Sequence, residues 1–184
     1  MTEAERRRVL DTGAVQEALG RMAAELESEA GRGADLALMG VHRRGVELAS
    51  RLAAELGERR GRPVPLGTLD ITLYRDDLMQ IGPRPVVGET RLPEGGVDGR
   101  PVVIVDDVLF TGRTVRAALD ELADFGRPSR TILCVLIDRG GRELPIHADV
   151  VGEKIDVPEG WMVEVAVPEM DGGLGVDLVK RTGE

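Results

Sequence analysis

Thirteen consecutive residues constrain this chain more than any other stretch: Val102-Val103-Ile104-Val105-Asp106-Asp107-Val108-Leu109-Phe110-Thr111-Gly112-Arg113-Thr114. An unbroken apolar run suits a central parallel strand, whose two faces are both covered by helices. Beyond the run, Val115, Ala118, Leu119, Leu122 and Phe125 recur at helical spacing until Gly126 and Pro128 stop them. Strand, acidic exit, loop and helix in that order describe a ligand site. Open α/β sheets bind at the carboxyl ends of their strands, and a helix N-terminus offers unpaired N–H groups and partial positive charge to a phosphate. The loop Asp106 to Thr114 is therefore expected to hold a phosphate, with Val108, Leu109, Phe110, Thr111, Gly112, Arg113 and Thr114 as its binding residues. Thr111 and Thr114 add hydroxyls, and Gly112 permits a left-handed backbone or a close phosphate approach. Asp106 and Asp107 cannot serve an anion. Two adjacent carboxylates instead suit neighbouring ribose hydroxyls, and they balance a Mg²⁺ held by those hydroxyls and a pyrophosphate.

The remaining elements repeat the alternation. Val15, Ala18, Leu19, Met22, Ala23 and Leu26 mark an amphipathic helix. Asp35–Val41 reads as a strand that turns at His42-Arg43-Arg44-Gly45 into a helix carrying Val46, Ala49, Ala53 and Leu56. Leu69, Ile71 and Leu73 alternate with Asp70, Thr72 and Tyr74, the period of a strand with one wet face. Thr131–Ile137 reads as a buried strand and Trp161–Val167 as an edge strand. Between them, Arg75 to Arg100 is polar and punctuated by Gly82, Pro83, Pro85, Pro93, Gly95 and Gly96, and its length predicts a mobile β-hairpin lid. The pattern gives one α/β domain over residues 1–184, a mainly parallel sheet flanked by helices.

Charge and cysteine usage exclude several classes. No apolar run approaches the roughly 20 residues that span a bilayer, and no apolar stretch follows Arg6, Arg7 and Arg8, so no membrane span or secretory signal is expected and the location is expected to be cytoplasmic. Cys134 lies inside an apolar run and is expected to be a buried structural thiol. A net charge of −9 confines any RNA contact to a local basic patch. His42 and His147 are too isolated for a metal site built of protein ligands. Lysine occurs only at 154 and 180 and asparagine nowhere, which fits either a GC-rich or a thermophilic source.

The run Val102–Thr114 resembles the 5-phosphoribosyl-1-pyrophosphate (PRPP) motif of type I phosphoribosyltransferases. A response-regulator receiver also sets paired acids after a strand, but near the start of its domain, whereas 77 residues follow Asp107. Together with Leu69–Asp77 and Asp138–Ile146, the chain is similar to the bifunctional pyrimidine operon attenuators and uracil phosphoribosyltransferases, from about Leu10 to beyond Lys154. The resemblance implies a type I phosphoribosyltransferase fold with a small hood and a homodimeric or homotetrameric assembly. It implies conversion of uracil and PRPP to UMP and pyrophosphate, with Mg²⁺ bound through PRPP and pyrophosphate. It also implies binding of a pyrimidine operon leader mRNA, promoted by UMP or UTP.

On that resemblance Arg43 and Arg44 fall on the pyrophosphate loop, Arg75 or Arg84 is expected to reach the pyrophosphate from the hairpin, and Arg139 stands near the base. Asp106 and Asp107, with Arg75, form the catalytic set. Arg142 and His147 are the candidate RNA contacts, and reversal of charge at Arg142 is expected to spare UMP binding. Phe110 stands where the family is expected to carry Tyr, and Val41-His42-Arg43 replaces a more usual Ile-Lys-Thr. Gly20 and Ala24 are small where polar side chains are expected on the RNA face. Two alternatives stay open: a regulator with a silent active site, and a purine or orotate phosphoribosyltransferase without RNA binding.

Overall fold

Five parallel strands form the central sheet in this computed structural model, which describes residues 5–75 and 88–180. They are β2 (Ala37–Val41), β3 (Leu66–Leu69), β4 (Pro101–Leu109), β5 (Arg130–Asp138) and β6 (Val150–Lys154), in the spatial order β3-β2-β4-β5-β6. The chain leaves β2 for β3 on one side and returns to β4 on the other. That reversal between β2 and β4 opens a crevice at their carboxyl ends, the place where such sheets bind ligands.

Alternate strand residues face opposite layers. Leu38, Val103, Val105, Ile132 and Cys134 join the core formed with α1 (Thr12–Ala30) and α2 (Arg44–Arg60). Met39, Val102, Ile104, Leu133 and Val135 join the core formed with α3 (Arg113–Phe125). Each fully buried Leu or Ile contributes about 1.5–3 kcal/mol of transfer free energy, so the two cores fix which face every strand presents. Cys134 is buried, and burial pushes its thiol pKa up, away from reactivity.

A second, antiparallel sheet has the order β1-β8-β7, from β1 (Arg6–Leu10), β7 (Trp161–Ala166) and β8 (Gly175–Lys180). A short α4 (Pro168–Asp171) links β7 to β8. Asp177, 3% exposed, accepts from Arg6 at 2.8 Å and from Arg8 at 2.5 Å, which ties β1 to β8 through side chains as well as backbone. Among the described residues no helix is long and apolar enough to cross a membrane.

Three sequence expectations change. The strand expected over Leu69–Tyr74 ends at Leu69, because the Asp70 carboxylate accepts from the Thr72 N–H at 2.8 Å and its hydroxyl at 2.5 Å and turns the chain into a 3-10 helix at Thr72–Tyr74. Leu73, which alternation assigned to the core, is 59% exposed. Strand β4 does not stop at Val105 but pairs with β5 through Leu109, so Asp106 and Asp107 sit on the strand and the loop shrinks to Phe110–Gly112. In the stretch read as a polar hairpin, residues 88–100 pack down: Arg91 bridges Thr68, Val97 is buried, and Arg100 donates to Asp35, Glu94 and Gly96. Residues 76–87, including Gly82, Pro83, Arg84 and Pro85, lie outside the described residues.

Candidate functional site

A cavity of about 420 Å³ occupies the crevice. The β2–α2 turn supplies His42, Arg43 and Arg44 to its wall, the end of β3 supplies Asp70 and Thr72, and β4 supplies Asp106, Asp107 and Val108, with Arg75, Gly88 and Thr114 around the rim. Two glycines let these pieces meet. A Cβ on Gly40 would stand 2.5 Å from the Val46 Cα, and one on Gly45 would stand 2.6 Å from the Val105 carbonyl. Such distances are far inside van der Waals contact, so only glycine lets the arginine turn press against the acidic end of β4. The peptide between His42 and Arg43 is cis.

The acids differ in environment. Asp106 is 5% exposed, and burial followed by the charge of Asp107 pushes its pKa well above the usual carboxylate range. Asp107 is half-buried, and its carboxylate accepts from the Val108 N–H at 2.9 Å. The Asp70 carboxyl is raised by burial, but bonds from Thr72 and from the Gly88 N–H outweigh that and hold it below its ordinary value. Arg44 holds Asp171 of α4 through a fork, with Nη2 to Oδ1 at 3.0 Å and Nε to Oδ2 at 3.3 Å. This pair joins the second sheet to the arginine turn.

The phosphate loop is short and braced from behind. Gly112, at φ 91°, caps α3 in the left-handed conformation, one of the two uses its sequence position allowed. The Thr111 carbonyl accepts from the N–H groups of Glu143 and Leu144 at 3.0 and 3.1 Å. Arg142 completes the brace: Nε donates to the Ile146 carbonyl at 2.9 Å, Nη1 to the Phe110 carbonyl at 2.8 Å, and Nη2 to the Asp138 carboxylate at 2.6 Å. Arg139 lies over the Phe110 ring, 4.0 Å from its centre, and Arg113 pairs with Glu143 at 2.7 Å.

The structure thus gathers Arg43, Arg44, Arg75, Asp106, Asp107, Val108 and Thr114 around one cavity. Leu109 and Gly112 are buried behind it, Thr111 is half-buried, and Phe110 and Arg113 are exposed. Arg139 joins the brace, and His147 is exposed beyond it. The expectation that Arg142 stands apart from the loop Asp106–Thr114 is corrected by its bond to the Phe110 carbonyl of that loop. Sequence reasoning missed Asp70, Thr72 and Asp171. The Asp70-x-Thr72 spacing at a strand end was the visible signal for the first two, whereas Asp171 has none.

The base of the 76–87 segment is tied to α3. Arg116 Nη2 donates to the Tyr74 carbonyl at 3.0 Å, and the Tyr74 hydroxyl donates to the Asp124 carboxylate. That bond, then desolvation, then the charges of Asp124, Glu121 and Asp120 push the phenol up to about 12. The neutral phenol is the form held, so this contribution is present below the ordinary value of 10 and is lost as pH rises through about 12. Tyr74 is the sole tyrosine of the chain. A phenolate absorbance titration of the native protein should therefore show one transition near 12, and Asp124→Asn should return it towards 10. A native wild-type midpoint at 10 would remove the contact.

Residues 6–171 match the phosphoribosyl transferase domain. A bifunctional protein PyrR of Thermus thermophilus is 53% identical over 170 residues, covering 92% of this chain and 93% of the relative. One from a Roseiflexus species is 50% identical over 177 residues, covering 96% of each. A hypoxanthine phosphoribosyltransferase of Trypanosoma cruzi has a TM-score of 0.69 at 22% identity, covering 97% of this chain and 96% of that one. A hypoxanthine-guanine phosphoribosyltransferase of Bacillus anthracis has a TM-score of 0.67 at 19% identity, covering 97% and 99%. These structures share the type I phosphoribosyltransferase fold with this chain.

Proposed function

The chain belongs to the phosphoribosyl transferase domain family, beside relatives about half identical that bear the name bifunctional protein PyrR, and from that premise we propose that it converts uracil and PRPP to UMP and pyrophosphate and, under the control of uridine nucleotides, binds RNA to regulate pyrimidine operon expression. The observation that carries the proposal is one cavity at the β2–β4 reversal, in which two carboxylates face two arginines across a helix N-terminus.

Each group has a task that its chemistry suits. Thr114 and the N-terminus of α3 take the 5′-phosphate. Asp106 and Asp107 accept hydrogen bonds from the ribose hydroxyls and offset positive charge that develops on the ring. Guanidinium forks at Arg43 and Arg44, with Arg75, take the departing pyrophosphate. Uracil N1 bonds to C1 of the ribose as the bond from C1 to the pyrophosphate oxygen breaks, and the N1 proton is released. Asp171 holds Arg44 in register for that role.

Mg²⁺ fits this site as a companion of the substrate. Asp106 and Asp107 are hard oxygen donors, and burial followed by the charge of Asp107 raises the Asp106 pKa; among the described residues no group of three or more His, Cys, Asp or Glu forms a cage that would hold an ion alone. When bound with PRPP, the ion neutralises pyrophosphate charge.

UMP shares the 5′-phosphate and ribose of PRPP, so the two compete, and the one that favours the RNA-competent state raises RNA affinity by linkage. A homodimer or homotetramer and a cytoplasmic location belong to the same proposal. Incubation with PRPP, Mg²⁺ and each base in turn should yield UMP from uracil, and no product from hypoxanthine or orotate. Product from either of those two but not from uracil would reassign the enzyme.

A further inference from the structure

Helix α4 has four residues, too few for a helix to keep its own shape in water, so its orientation must come from its attachments. Within the segment, the Val167 carbonyl accepts from the N–H groups of Met170 and Asp171 at 3.1 and 2.8 Å, and the Asp171 carboxylate accepts from the Val167 N–H at 2.9 Å. Helix α2 adds two attachments from outside. Arg44 forks onto Asp171, and Arg51 Nη2 donates to Glu169 Oε1 at 2.6 Å. The two arginines stand two turns apart on one face of α2, about 10.5 Å along its axis at 1.5 Å per residue. The Arg51 Nε is buried without an acceptor, and Glu169 is the one hydrogen-bond partner of this guanidinium among the described residues. Neither Arg51 nor Glu169 lines the nucleotide cavity.

We propose that Arg51 and Glu169 are positioning residues for pyrophosphate: their ion pair is the second pin of α4, and it sets the angle at which Asp171 holds Arg44. The inference rests on the transferase reading above, in which Arg44 takes the departing pyrophosphate. Held at one point, α4 can turn about the Arg44–Asp171 fork. A second pin two turns along α2 removes that rotation. The fork engages Arg44 through Nε and Nη2, which leaves Nη1 for the ligand. A planar guanidinium matches phosphate oxygens in pairs only when its plane is set, so an error in the angle of α4 reaches the ligand through Arg44. Stability is not the contribution of the pair, because its side chains are 32% and 44% exposed and solvent screens such a contact. Asp106, Asp107 and Thr114 stand on β4 and α3, outside this linkage, so the pins act on the pyrophosphate side of the cavity and spare the ribose and 5′-phosphate side.

The test compares Glu169→Gln and Arg51→Glu with the charge-swapped double variant Arg51→Glu with Glu169→Arg, each in the full chain. Inorganic pyrophosphate with Mg²⁺ and, separately, UMP are titrated onto the unliganded protein by calorimetry, and KM is measured for PRPP and for uracil. Each single variant should weaken pyrophosphate binding about tenfold, the worth of one charge-assisted hydrogen bond, and raise KM for PRPP in step. UMP affinity and KM for uracil should stay at the wild-type values, and the melting temperature should move by no more than about 2–4 °C. The swapped variant should recover pyrophosphate affinity. Wild-type pyrophosphate affinity in both single variants would overturn the positioning role while leaving the transferase reading intact. Equal loss of UMP affinity, or a larger fall in melting temperature, would show a merely structural contact and overturn it as well. No recovery in the swapped variant would show that the two side chains do not act as a pair. A wild type that binds UMP, yet neither binds pyrophosphate nor forms UMP from uracil and PRPP, would overturn the transferase reading and the positioning role together.

Discussion

Arg142→Glu is expected to lower the melting temperature by on the order of 10 °C and to weaken UMP binding in the protein that remains folded. The side chain is 22% exposed and its Asp138 partner 15%, so the pair is largely shielded, and removal of one partner from such a pair costs about 3–5 kcal/mol. In a domain of this size each kcal/mol shifts the melting point by roughly 2–4 °C. The glutamate would also face Asp138 as a like charge. Two carbonyls, those of Phe110 and Ile146, would lose their donor at the same time. Since Phe110 opens the phosphate loop, the loop loses its rear support, and the nucleotide site suffers beyond the loss of stability. Thermal melts with a UMP titration read both effects. An unchanged melting point with intact UMP affinity would show that the brace contributes nothing.

Asp106→Asn should have the opposite effect on stability and a severe effect on activity. Burial and the charge of Asp107 hold the Asp106 carboxyl well above its ordinary value. From about pH 4, where the unfolded carboxyl titrates, up to the folded pKa, the folded state keeps a proton that the unfolded state has released. Stability therefore falls as pH rises through that window, and below it the penalty is absent. Asparagine carries no charge and keeps an oxygen for the Asp107 N–H, which Asp106 holds at 2.9 Å. The variant should melt several degrees above wild type at pH 7, and the gap should close towards pH 4. Loss of the charged acceptor should lower kcat/KM at least about tenfold. Asp107→Ala, at the half-buried neighbour, should bring no gain in stability and cost about 1–3 kcal/mol of UMP binding. A variant at Asp106 that is less stable than wild type at pH 7 would contradict the burial penalty.

The central sheet and its phosphate end were readable because period and residue type agree there. The apolar run of β4 and the recurrence through Val115 to Phe125 each have one structural solution, and Gly112 adopts the left-handed backbone that its position allowed. Elsewhere the signal was local where the structure is not. Alternation extended β3 past Leu69 because periodicity cannot see Asp70 capture Thr72. Strand β6 was missed because Val150–Lys154 is short and carries Gly152, which is there because a Cβ would stand 2.5 Å from the Leu136 carbonyl of the neighbouring strand. Strand β1 begins with three arginines and looks like a solvated tail until Asp177, about 170 positions later, accepts two of them. Arg142 shows the same limit within the site: basic, polar neighbours suggest a surface charge, and only the fold shows which carbonyls it faces.

The pairing of β1 with β8 has a consequence for how the protein is made on the ribosome. Residues 6–10 leave the exit tunnel ahead of the parallel layer and, among the described residues, pair only with residues 175–180, so they wait while everything between is made. The parallel layer has its strands by Lys154 and can condense earlier, with the antiparallel sheet following as the last and least local step. Because Asp171 lies just ahead of β8 and grips Arg44, the arginine turn acquires its fixed orientation only at that step. A nascent chain stalled before Asp171 would already hold Asp106, Asp107 and the loop after β4 while Arg44 still lacks its anchor, so under the proposed mechanism the ability to hold nucleotide precedes the ability to turn it over.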